Sequence, residues 1–103
     1  MIPLKSAERA KIDEIVEQVK QEYQKTVHQI RWELDRDWSG DWSLYFRVVM
    51  KDSATRGKRL FKTTTLVEDA LRQRIHPLEL DLFCYFRFRS KSEQAELREP
   101  AWK

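Results

Sequence analysis

Apolar positions near the start of the chain recur with the period of an α-helix. They are Ile12, Ile15, Val16, Val19 and Tyr23. Lysine and glutamate occupy the positions between them, which is the pattern of a helix with one buried side. Ser6 offers a side-chain oxygen to the first turn, and Glu8 suits the positive end of the helix dipole. The pattern predicts an amphipathic helix over about residues 7–25.

The period changes to two from residue 28, which is typical of a β-strand with one buried face. The alternating inward set is His28, Ile30, Trp32 and Leu34. The run Trp42–Met50 alternates in the same way. Between the two runs lies the polar segment 35–41, in which Gly40 can adopt a positive φ. We expect two strands joined as a β-hairpin.

The segment after the hairpin is polar and basic, and we predict a loop over Lys51–Arg59 with residues 60–62 docking against the core. Thr65 and Glu68 then have the spacing of a capping box at a helix start. Apolar residues follow at helical spacing, and Pro77 disfavours helical geometry in the residue before it. A second helix is therefore expected from about residue 65 to His76.

The aromatic run 82–89 is the most informative stretch of the chain. With period 2, one face carries Leu82, Cys84, Phe86 and Phe88. The other face carries Phe83, Tyr85, Arg87 and Arg89. Guanidinium groups and tyrosine seldom share a protein core, so this second face needs a partner or a lid. Ser90 with Glu93 forms a further capping-box pattern, which predicts a short helix near residues 92–98.

These elements predict a single α+β domain over residues 1–103, with a short helix and tail from residue 93. The order is helix, strand, strand, helix, strand and short helix, with a three-stranded mixed or antiparallel sheet and the helices packed on one face. The expected inner face comprises Ile30, Trp32, Leu34, Leu44, Phe46, Val48, Leu82, Cys84, Phe86 and Phe88. This order resembles the small nucleic-acid-binding folds of the KH and BolA type, although the glycine-rich loop of KH domains is absent.

The opposite face of the sheet is the candidate binding surface. Its residues are Arg31, Tyr45, Arg47, Phe83, Tyr85, Arg87 and Arg89, joined by Arg56, Lys58 and Arg59 from the basic loop. Tyrosine, phenylalanine and arginine dominate protein interfaces. The same residue types stack on bases and hold phosphates. A third interpretation is that the C-terminal segment or residues 51–62 cover this face and pair the arginines with Glu33 or Glu79.

Charge and composition narrow the class of protein. Its 103 residues are 41% hydrophobic, enough for one core, and the net charge is +3. Residues 43–76 concentrate the positive charge, with eight lysine and arginine residues against three acidic ones. No apolar run approaches the roughly 20 residues of a membrane-spanning helix. The single cysteine and the absence of a signal sequence at the N-terminus favour a cytoplasmic location.

Neither the acidic residues nor the thiol predicts a catalytic, cofactor or metal site. Asp35, Asp37 and Asp41 could hold magnesium, but aspartate is also a common turn residue. Cys84 falls on the predicted core face, where a thiol is usually inert. Its distance from His28 and His76 gives no metal-ligand spacing.

Two tryptophans, Trp38 and Trp42, flank the hairpin turn. We expect them to close the open end of the small core. The alternative is that they are exposed and mark an interface.

The segments 38–42, 45–49, 85–90 and 92–94 together resemble a family of small uncharacterised bacterial proteins. Some of these are similar in organisation to the minimal nucleotidyltransferases of toxin–antitoxin pairs. The resemblance covers about residues 30–95. It implies a bacterial two-gene module. The Gly-Ser motif that opens the nucleotidyltransferase site is missing ahead of the acidic strand, so the resemblance implies a degenerate or unusual member.

The sequence as a whole predicts a small non-catalytic binding module without a cofactor. The expected partner is a protein, either a second copy of the chain or the other half of a two-gene module. A nucleic-acid-binding module is the alternative, followed by a degenerate magnesium-dependent nucleotidyltransferase.

Overall fold

The order of helices and strands in the computed structural model is the predicted order, and the fold is α+β. The structure describes residues 4–54, 58–97 and 102. The elements are α1 (Ser6–Glu22), β1 (Val27–Arg36), β2 (Trp42–Met50), α2 (Lys58–Ile75), β3 (Phe83–Ser90) and α3 (Lys91–Leu97). Short 3₁₀ turns occupy Asp52–Ala54 and Pro77–Leu80. No helix in this part of the chain is long and apolar enough to cross a membrane.

The three strands form one mixed sheet in the order β1-β2-β3. The hairpin makes β1 and β2 antiparallel, and Arg36 pairs with Trp42 at its closed end. β3 runs parallel to β2, because the chain returns to the same end of the sheet through α2. This crossover puts a helix over the sheet, as parallel pairing requires.

The core lies between one face of the sheet and the helices α1 and α2. We call this sheet face the inner face. Val19 of α1, Phe46 of β2 and Leu71 of α2 are at most 1% exposed. The rings of Phe46 and Phe86 stack with their centroids 5.0 Å apart. The remaining core side chains include Ile12, Ile15, Val16, Ile30, Leu44, Val48, Met50, Val67, Ala70, Ile75 and Leu82.

The inner face is more completely buried on the central strand than on the edge strands. Trp32, Leu34, Cys84, Phe86 and Phe88 pack against the core but are half-buried. Phe86 thus lies on the expected face, but it is only partly buried. The two helices leave the edge strands of the sheet partly uncovered. Phe86 is covered there by the guanidinium of Arg72, 4.9 Å from the centre of its ring, and not by a further apolar side chain.

The start of the first helix and the first strand differ from the prediction. The residue that caps α1 is Lys5 rather than Ser6, and the Lys5 backbone N–H donates to Glu8 Oε1 at 2.9 Å. α1 ends at Glu22, and β1 contains an irregularity between Val27 and Gln29. Val27 is consequently buried and His28 is exposed, so His28 does not belong to the inward set.

The second helix starts seven residues earlier than predicted. α2 begins at Lys58, so Thr65 and Glu68 lie inside the helix and do not form its capping box. Lysine, arginine and leucine propagate a helix well, which allows the extra turns. Leu60 and Phe61 lie on this added part and are 36% and 79% exposed, so the expected docking of residues 60–62 is wrong.

The predicted capping box at the start of the third helix is confirmed. The Glu93 backbone N–H donates to Ser90 Oγ at 3.1 Å, and the Ser90 N–H donates to Glu93 Oε1 at 3.3 Å. The short helix occupies Lys91–Leu97, close to the expected 92–98.

Candidate binding surface

The sheet face that points away from α1 and α2 carries the candidate residues, and we call it the outer face. Its members are Arg31, Glu33 and Asp35 on β1, Ser43, Tyr45, Arg47 and Val49 on β2, and Phe83, Tyr85, Arg87 and Arg89 on β3. Strand pairing sorts these side chains into rows that run across the sheet. The structure therefore brings all seven of the predicted sheet candidates onto one surface.

Three arginines form one row across all three strands. Arg31 pairs in register with Arg47, and Arg47 pairs with Arg87. Like charges placed directly opposite one another destabilise a sheet. Within the described part of the chain only Arg47 of the row forms an ion pair, with Glu33 at 2.8 Å. Two guanidinium groups of this row are therefore available to an external anion.

The next row towards the hairpin turn holds two tyrosines. The Tyr45 and Tyr85 rings are stacked, with centroids 5.2 Å apart and planes inclined by 18°. The Tyr85 hydroxyl donates to Asp37 Oδ2 at 2.8 Å, and this bond raises the pKa of Tyr85. The ring of Tyr85 is thus held in place by a neighbouring ring and by a carboxylate of the turn.

Asp37 organises the turn between β1 and β2. Its Oδ1 accepts hydrogen bonds from the Ser39 hydroxyl at 2.6 Å, the Ser39 N–H at 2.9 Å and the Asp41 N–H at 3.0 Å. These bonds, led by that of the Ser39 hydroxyl, lower the pKa of Asp37 from 3.8 to about 2. Gly40 supplies the expected positive φ, at 87°. Asp37 acts as a turn-forming residue, and the described residues contain no cluster of three or more metal-ligand side chains.

The turn end of the outer face has exposed aromatic side chains at its margins, whereas Ser43 at its centre is buried beneath the turn. Phe83 is 50% exposed, and Trp38 in the turn is 93% exposed. The expectation that Trp38 closes the core is wrong. Trp42 is half-buried, with the Arg36 guanidinium 4.7 Å from its ring. Trp38 was not among the predicted surface residues, although its position in a polar turn was a signal that it could be exposed.

The opposite end of the outer face is covered. Val49 is only 2% exposed, and its register neighbour Arg89 lies against Trp102 at 4.2 Å. Trp102 itself is 2% exposed. Among the described residues, the C-terminal segment thus covers this end of the outer face, as in the interpretation of a lid. Arg89 belongs to the covered part, whereas the arginine row and the tyrosine row remain open.

Two of the three candidates from the predicted basic loop lie in a helix. Lys58 and Arg59 lie in the first turn of α2, so they are helical rather than part of a loop. Arg56 lies outside the described residues.

A cleft of about 520 Å³ opens on the helical side, near the start of β3. Arg72, His76, Leu82 and Cys84 are among the residues that line it. Burial raises the pKa of the Cys84 thiol to about 11. Because the thiolate is the reactive form, Cys84 is a poor nucleophile at neutral pH. The Cys84 thiol in this cleft is therefore not activated.

Comparisons of the chain with protein-family models, with curated proteins and with solved structures gave no match. A functional assignment therefore depends on the geometry of the surface itself.

Proposed function

We propose that this chain is a small non-catalytic binding module that associates with a protein through the open part of its outer face. The observation that carries the proposal is the arginine row beside exposed aromatic rings. Arg31 and Arg87 make no ion pair with any described residue, and Phe83 is half exposed two residues away from Tyr85. Arginine and aromatic side chains are the usual anchors of a protein interface.

The arrangement of the tyrosines favours a protein over a nucleic acid. Base recognition on a sheet uses aromatic rings whose faces are free to stack on bases. Here Tyr45 and Tyr85 stack on one another. The carboxylates of Asp35 and Asp37 border the same rings and would repel a phosphate backbone. An acidic and aromatic border is compatible with a protein partner, because a protein can supply both charges.

Nucleic-acid binding is the second candidate, and the arginine row is the observation that favours it. Guanidinium groups hold phosphates well, and the affinity of such contacts falls steeply with salt. Salt dependence therefore separates the two candidates by its steepness: release of counterions makes binding to a polyanion fall steeply with salt, whereas screening of a few ion pairs weakens a protein interface much less.

A photo-crosslinking residue introduced at Phe83 tests the proposal directly. Cells of the source organism that carry this variant are irradiated, and adducts are analysed by mass spectrometry. We expect a protein adduct that is reduced by Arg87→Ala. The matched control is the same photo-crosslinking residue at Phe61, an exposed phenylalanine on α2.

The proposal fails if adducts at Phe83 are no more abundant than at Phe61, or if they are destroyed by nuclease and not by protease. The second result would establish the nucleic-acid candidate.

A further inference from the structure

Positive and negative side chains occupy opposite halves of the open outer face. Arg31, Glu33 and Asp35 alternate with inward residues along β1 and end at Asp37 in the turn. Successive outward residues of a strand are about 6.7 Å apart. The arginine row and the row that contains Asp35 are therefore about 13 Å apart, with the tyrosine row midway between them.

This order makes the face complementary to itself under one particular two-fold rotation. A two-fold axis parallel to the strands would place the arginine row on the arginine row of a second copy. The alternative is a two-fold axis that lies between the two facing sheets, runs along the tyrosine row and is perpendicular to the strands. This axis places the arginine row on the row of Asp35, Ser43 and Phe83. Only the second arrangement brings opposite charges together, and it keeps the strands of the two sheets aligned, as in ordinary sheet packing.

We infer that the protein partner of the outer face is a second copy of the chain, related by this perpendicular two-fold axis. The inference rests on the function proposed above and specifies its partner. Arg31 of one copy faces Asp35 of the second copy, and Arg87 faces the exposed ring of Phe83 in a cation–π contact. Glu33 meets its own equivalent near the axis, but the ion pair with Arg47 offsets that repulsion.

The size of the open face indicates how strong such a dimer is. Three strands about 4.8 Å apart, over the rows from the arginines to the turn, cover about 400 Å² per copy. A standard stable interface buries about 800 Å² per partner. We therefore expect a weak dimer, with a dissociation constant between about 10 and 300 μM.

A charge-exchange experiment on the full chain tests both the partner and the axis. Arg31→Glu sets a carboxylate against Asp35 at both contacts of the homodimer, and Asp35→Arg sets two arginines against each other in the same way. Each variant alone is expected to self-associate at least about tenfold more weakly than the natural chain, because like charges then meet across the interface. In an equimolar mixture, the two variants pair with opposite charges facing each other at both contacts. The mixture should therefore dimerise about as well as the natural chain.

Sedimentation equilibrium from about 1 μM to 1 mM measures these constants, a range that brackets the expected affinity. Lys11→Glu, an equal charge change on the exposed side of α1, is the matched control and should leave self-association unchanged. Far-ultraviolet circular dichroism establishes that each variant is folded. If a charge-reversal variant is not folded, it is replaced by Arg31→Gln or Asp35→Asn, which remove the charge without reversing it.

The outcomes separate this inference from the proposed function. A natural chain that stays monomeric at 1 mM overturns the inference, while a foreign protein crosslinked at Phe83 would leave the proposed function standing. Dimers that are insensitive to both charge reversals, or that are not restored by mixing, also overturn it. Failure of self-association together with the absence of protein adducts at Phe83 would contradict both the inferred homodimer and the proposed function.

Discussion

The two faces of the sheet carry different residue types, and these affect the stability of the sheet in opposite ways. On the inner face the rows across the strands are apolar, as in Trp32, Phe46 and Phe86, and α1 and α2 cover them. On the outer face the neighbouring row consists of three arginines. The inner rows stabilise the fold by removing apolar surface from water. A row of like charges, in contrast, destabilises the sheet.

Residues that stabilise the fold and residues that do not lie on opposite faces of the sheet. The inner face could be rebuilt from almost any large apolar residues, because burial depends on area and volume. The outer face carries a costly arrangement that folding alone does not explain. Residues that oppose stability while remaining ordered are expected at functional surfaces. The inner face therefore stabilises the fold, and the open part of the outer face carries the residues for which we propose a binding role.

Truncating two adjacent residues of β2 gives the largest expected contrast between the faces. Phe46→Ala should lower the free energy of unfolding by about 3–5 kcal/mol, because it empties a fully buried site. Tyr45→Ala, one residue earlier on the outer face, should lower it at least about threefold less, because it loses chiefly the ring stacking with Tyr85. Urea denaturation of both variants measures the two values.

Phe86→Ala provides a graded control for that contrast. Its ring is half-buried on an edge strand, so the expected loss is about 2 kcal/mol, between those of the two β2 variants. Equal losses for Phe46→Ala and Tyr45→Ala would show that the outer face is as important for folding as the inner one, and the assignment of the faces would then be wrong.

Ionisation of Asp37, beside the outer face, is expected to have a smaller effect on the stability of the fold. The pKa of Asp37 is lowered in the folded chain from 3.8 to about 2. A lowered pKa contributes stability that is fully present above about pH 4 and is lost as the pH falls towards 2. Asp37→Asn should therefore be less stable than the natural chain near pH 6, and the difference should shrink as the pH falls from 4 to 2.

Ser39→Ala checks the cause, because the Ser39 hydroxyl makes the largest contribution to that lowered pKa. This variant should reproduce part of the Asp37→Asn effect over the same pH range. Urea denaturation at a series of pH values provides the data. A difference between the natural chain and Asp37→Asn that stays constant down to pH 2 would contradict the expected titration.

Divalent cations should have the smallest effect on the stability of the fold. The oxygens of Asp37 already accept hydrogen bonds from Ser39, Asp41 and Tyr85, and these bonds would have to be given up to a metal. We expect the melting temperature to be unchanged by magnesium or manganese. A saturable stabilisation that disappears in Asp37→Asn would revive the hypothesis of a magnesium-dependent nucleotidyltransferase.

Local patterns were sufficient for most of the elements. The alternation from Trp42 to Met50 predicted β2 to the residue, and Pro77 predicted the end of α2. The start of α2 was missed because Thr65 and Glu68 match a cap that the helix does not need when helix-forming residues precede it. The preferred interpretation of Trp38 was wrong and its alternative was right, because a hydrophobic residue beside a turn can either close a core or face the solvent, and its sequence neighbours are the same in both cases.

Sequence patterns alone established the period of each segment, and hence which side chains share a face of a strand. It could not determine which strands are neighbours or in what register, because those pairings join residues far apart in the chain. Only the tertiary structure placed Arg31, Arg47 and Arg87 in one row, and only it brought Asp37 to the hydroxyl of Tyr85, 48 residues away. Side-chain alternation is a local property of an extended backbone, whereas a row across a sheet depends on packing of the whole chain.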